Sequence, residues 1–87
     1  MKILAKPIEM VSHTTANGEI NPLRFRFKKE DESFNVIKVD KVLFKQSERV
    51  AGVEAYVYRC QSTFGKEQKL YELKYMIKEC KWILWKM

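Results

Sequence analysis

The 87-residue chain carries seventeen Lys and Arg against eleven Asp and Glu, for a formal charge of +6, and a chain this short has room for one domain with one core. With 46% apolar and 13% aromatic residues, three Gly and two Pro, it has too much burial capacity to stay disordered. No run reaches the roughly 18 apolar residues of a membrane-spanning helix, and Lys6, Pro7 and Glu9 interrupt the stretch a signal peptide would need, so a cytoplasmic protein is expected.

ILAKPIEMV and SHTTANG open the chain as a strand around residues 7 to 13, closed by the tight-turn pair Asn17-Gly18. Pro22 has no amide donor and fits the start of the next strand rather than its centre. That strand, LRFRFKK, alternates: Leu23, Phe25 and Phe27 take one face, the core face, and Arg24, Arg26 and Lys28 the other, with Lys29 following. After the charged turn EDES, the run FNVIKVDKVLFKQ alternates and then slips between Val39 and Val42, which calls for a bulge or strong bend near Asp40-Lys41. VEAYVYRCQSTF, residues 53 to 64, is apolar on both faces, with Val53, Ala55 and Val57 on one and Tyr56, Tyr58 and Cys60 on the other, the signature of a central strand. The segment KLYELKYMIKEC fits two periodicities, a helical stripe through Leu70, Leu73, Ile77 and Cys80 or an alternating strand through Tyr71, Leu73, Tyr75 and Ile77. KWILWKM reads as a buried last strand, so a hairpin turning near Lys78-Glu79 is favoured over a helix at 66 to 80. The expected fold is mainly β, a small curled antiparallel meander or SH3-like barrel of five to six strands; an α+β fold or OB-type barrel using that helix is the alternative.

The order PLRFRF, VDKVLF, AYVYRCQS, LYELKY and KWILWKM, over roughly residues 22 to 87, resembles a family of small uncharacterised bacterial proteins. Within it, Tyr71, Leu73, Trp82 and Leu84 form a Tyr-x-Leu then Trp-x-Leu pattern that is similar to the tail region of some bacterial lesion-bypass polymerase-related proteins. The resemblance implies a terminal β hairpin and an association with DNA repair, and it transfers no functional residue.

Little here points to catalysis. His13, the sole histidine, falls in a polar turn, and Cys60 and Cys80 are isolated thiols expected to act as small core residues. Neither a metal site nor a cofactor is expected, because ligand spacing and a phosphate-cradling glycine loop are both missing. Asp40 and Glu72 lie among apolar neighbours, with Lys41 and Lys74 close in sequence as salt-bridge partners.

Two binding readings compete. Strands apolar on both faces offer more surface than one small sheet covers, which favours a non-catalytic protein-interaction or self-associating module; Trp82 and Trp85 point to opposite faces, leaving Trp85 as an interface candidate. The alternative is a nucleic-acid-binding surface made of Arg24, Arg26, Lys28, Lys29 and Arg59 with Tyr56 and Tyr58 as stacking partners, which requires all of them on one outer face. Thirteen of the seventeen basic residues are lysines spread along the chain, a distribution that also serves plain solubility.

Overall fold

The computed structural model describes all 87 residues and contains seven strands and no helix: β1 (Ile3–Thr14), β2 (Ile20–Lys28), β3 (Phe34–Lys38), β4 (Lys41–Val50), β5 (Val53–Phe64), β6 (Glu67–Met76) and β7 (Lys81–Lys86). They form one antiparallel sheet in the order β3-β2-β1-β7-β6-β5-β4, curled into a half-barrel. The mainly β fold is as the alternation requires, with seven strands in place of five or six because the 34 to 46 run divides. No helix is long and apolar enough to cross a membrane.

That division is the organising event of the fold. Only Val39 and Asp40 separate β3 from β4, yet these strands lie at opposite edges of the sheet. The Val39 amide donates back to Leu23 of β2 (2.9 Å), and the next amide, of Asp40, donates to Gln61 of β5 (3.1 Å). Two consecutive amides thus serve the two ends of the sheet, and the sheet must curl until those ends meet at this corner. The bend expected at Asp40-Lys41 is this passage; a separate irregularity, with Leu43 as the extra residue, interrupts the β4–β5 register between Val42 and Phe44. The chain termini close the middle of the sheet, where β1 pairs with β7 and the Lys2 and Met87 backbones exchange hydrogen bonds of 2.8 and 3.0 Å.

Inner-face residues make the core. Phe25, Ile37, Tyr58, Cys60, Tyr71, Leu73, Trp82 and Leu84 form one buried cluster, flanked by half-buried Ile8, Met10, Phe27, Tyr56 and Tyr75. Phe25 meets Tyr71 edge-on at 5.7 Å across the curl. Two hydroxyl clamps fasten it: Tyr58 donates to the Ile20 carbonyl (2.6 Å), and Ser62 donates to the Lys38 carbonyl (2.6 Å), leaving Ser62 as acceptor for the Tyr71 hydroxyl (2.5 Å). No buried side-chain nitrogen or oxygen lacks a partner, so the polar groups inside carry no unpaid desolvation.

Two expectations need correction. Leu23, assigned to the core face, is 46% exposed; it is the extra residue where the β1–β2 register shifts between Val11 and Ser12, and the bulge swings it out while Pro22 takes the buried position. Cys80, expected in the core, is exposed because it sits in the β6–β7 turn with φ of 55°, whereas Cys60 is buried as anticipated. The 67 to 86 segment is the hairpin: Tyr71 and Leu73 are both fully buried at a spacing of two, which a helical stripe would not give.

Candidate interaction surfaces

The register sorts the candidate residues, because residues directly opposite each other in a sheet share a face. Arg24 and Arg26 stand opposite Val11 and Glu9 of β1 and opposite Lys38 and Val36 of β3. With Lys28, opposite Phe34, they form a cationic row on the outer face of β2; Lys29 lies beyond it in the β2–β3 turn. Arg59 is also on the outer face but on β5, four strands away in the sheet order, where its guanidinium donates to Glu72 at 2.8 Å. Tyr56 and Tyr58 project inward. Tyr58 is wholly buried, its ring 5.2 Å from Trp82, and Tyr56 stacks near-parallel on Tyr75. The seven residues therefore divide among four places, with Arg24, Arg26 and Lys28 alone forming a continuous group.

Sequence reading missed Lys38, whose outer-face position follows from its pairing with Arg24, and Phe34, whose ring receives the Arg26 guanidinium at 4.0 Å. The strand pattern of FNVIK carried that signal once its register with LRFRFKK was known. Around this row Val11, Val36 and Phe34 are exposed, and an open groove of about 460 Å³ runs between Glu9, Val11, Arg24, Arg26 and Val36. Arg26 donates to Glu9 at 2.9 Å, the one ion pair on this half of the sheet.

The opposite half is arranged differently. Arg59 meets Glu72, and Lys74 meets Glu48 at 2.9 Å while its ammonium lies 3.8 Å above the Trp85 ring. Trp85 is thus on the outer face as expected, half-buried beneath a lysine, and Trp82 is in the core. Ala55 and Val57 are buried on this outer face at 1% and 5% exposure, which makes β5 covered on both sides. Glu72 serves Arg59, and the Asp40 carboxylate accepts from the Thr63 amide at 2.8 Å.

The β4 edge is the third surface. Nine of its ten residues are exposed, among them Val42, Leu43, Phe44 and Val50, and Glu48 alone is half-covered. Its inner-face Lys45 reaches back over the Tyr56 and Tyr58 rings at 4.5 and 5.3 Å. Burial pushes the Tyr58 phenol up to about 12 and the Cys60 thiol up to about 12, so both groups stay protonated and inert at neutral pH. His13 is exposed on β1 opposite Asn21. Comparison of the chain with protein-family models, with curated proteins and with solved structures finds no match.

Proposed function

We propose that the protein is a non-catalytic, cytoplasmic interaction module that associates with a second copy of itself through the free edge of β4. The observation that supports this reading is the exposure of that strand: nine of its ten residues, with Val42, Leu43, Phe44 and Val50 among them, are held at a sheet edge without burying their side chains. A long apolar edge is a template for pairing, and natural chains normally blunt it. Isologous pairing needs no surface but this one. Centred on Gln46, two antiparallel β4 strands would set Phe44 against the second copy's Glu48 and Lys45 against its Ser47, with no like charges opposed. Centred on Ser47, they would set Lys45 against Arg49, a repulsive pair.

Sedimentation velocity over a wide concentration series tests association. The expected result is a reversible monomer–dimer equilibrium that Phe44→Lys weakens at least tenfold while the far-ultraviolet circular dichroism is unchanged. Register is read separately: Gln46→Cys in a Cys80→Ser background forms an intermolecular disulfide, and Glu54→Cys in the same background does not. A chain that is monomeric at every concentration removes the reading.

A further inference from the structure

Ion pairing is unevenly distributed over this molecule, and the unevenness marks a second surface. Three of the four ion pairs, Arg59–Glu72, Lys74–Glu48 and Lys81–Glu79, lie on the β4–β7 half. On the outer face of β2 and β3, Arg24, Lys28 and Lys38 have no carboxylate partner, and Glu9 neutralises Arg26 alone. Arg24 and Lys38 are directly opposite one another. Like charges in that position oppose folding unless something outside the chain compensates them. Of the acidic residues nearby in sequence, Glu30, Asp31 and Glu32 sit past the end of the row in the hairpin turn, where Asp31 is turned back onto Ser33 at 2.5 and 3.0 Å, and the Asp40 carboxylate accepts from the Thr63 amide at 2.8 Å.

We propose that this face binds single-stranded nucleic acid. Successive same-face side chains of a strand repeat about every 6.6 to 7 Å, on the scale of the backbone repeat of an extended polynucleotide, so Arg24, Arg26 and Lys28 meet consecutive phosphates, with Lys38 beside them. Bases then fall toward the flanking surface. Phe34 and the Arg26 guanidinium stacked on it at 4.0 Å offer planar groups there, and exposed Val11 and Val36 line the adjoining groove. This combination of a cationic track and stacking surface is what sequence-tolerant single-strand binding requires. A duplex would use the charges but leave Phe34 idle, and an acidic peptide would not need a flat stacking group. The face is separate from the β4 edge, so this inference stands independently of the self-association proposed above.

The test is fluorescence anisotropy of a labelled oligothymidylate with the full chain across a salt series. With Arg26 already neutralised by Glu9, the three uncompensated charges of Arg24, Lys28 and Lys38 predict a slope of log K against log salt of about −2.1, falling to about −0.7 in Arg24→Glu/Lys38→Glu. Lys66→Glu/Lys78→Glu, which changes net charge equally on exposed turns away from the row, keeps the steeper slope. Phe34→Ala lowers affinity at least fivefold with the slope unchanged. Each variant's near-ultraviolet circular dichroism is compared with that of the parent chain. Equal loss in the two charge-reversal variants, tighter binding to a duplex of the same length, equal competition by polyglutamate, or no binding at low salt would each overturn the proposal.

Discussion

Single oxygen atoms hold the curl shut, and their loss should be measurable. Ser62 both accepts from Tyr71 and donates to the Lys38 carbonyl; Ser62→Ala strands the buried Tyr71 hydroxyl and the partly buried Lys38 carbonyl and is expected to cost about 1–3 kcal/mol, more than Tyr71→Phe, when unfolding is followed in urea. The phenols also make stability depend on alkaline pH. Desolvation raises Tyr58 to about 12 and raises Tyr71 as well, against which the Ser62 hydrogen bond acts in the opposite sense. An unfolded phenol ionises near 10. Below that pH both states hold the phenol proton and the phenols' contribution is fully present; between 10 and 12 the unfolded chain gives it up first, so stability falls as pH rises. For Tyr58 the loss is on the order of 2–3 kcal/mol by pH 12. Urea midpoints measured from pH 8 to 12 should decline for the parent chain from about pH 9, where the unfolded Cys60 thiol begins to ionise, and further above pH 10, where the decline is less steep for Tyr58→Phe. At the β4–β5 turn, Ala51 and Gly52 have φ of 51° and 81°, the geometry of a two-residue hairpin that prefers Asn-Gly. Ala51→Asn should therefore raise stability by about 0.5–1 kcal/mol, read as a higher urea midpoint.

Among the strands, β2 shows how one alternating segment divides its labour. Phe25 is 2% exposed and touches Tyr71, so Phe25→Ala should cost about 3–5 kcal/mol by leaving a cavity. Arg26→Ala removes an ion pair whose two side chains are 49% and 65% exposed and a surface stacking contact with Phe34, and should cost on the order of 1 kcal/mol. Chemical denaturation of the two variants compares inside with outside directly. Period-two patterning was a sound guide wherever pairing was regular: β5 runs from Val53 to Phe64 with the faces its sequence implied, and LYELKY with KWILWK forms the terminal hairpin. It failed where register changes hands. Leu23 is exposed because an unpaired extra residue breaks the alternation, and FNVIKVDKVLF divides because Val39 and Asp40 bond to different strands. The cationic row was partly legible, since Arg24, Arg26 and Lys28 follow from alternation alone. Lys38 and Phe34 join it through a β2–β3 pairing that no local pattern states, and Arg59 and Tyr58 leave it for the same reason.

The whole sheet consists of two runs of consecutive hairpins, β1 to β3 and β4 to β7, that are joined twice: by the Val39-Asp40 corner and by the pairing of β1 with β7. Each joint matters for a different process. The corner is local in sequence, whereas Ile3 opposite Lys86 brings together nearly the full chain, so that pairing bears most of the loop-closure entropy and should form late in folding. Because β1 and β7 run antiparallel and the first and last backbones already touch, a short Gly-containing bridge from Met87 to Met1 would make them an ordinary hairpin. Opening the chain at the corner instead would give a circular permutant in which every neighbouring strand follows its predecessor, a plain up-and-down ribbon with the same side chains inside. Such a molecule should refold faster than the parent, and stopped-flow tryptophan fluorescence would measure the acceleration.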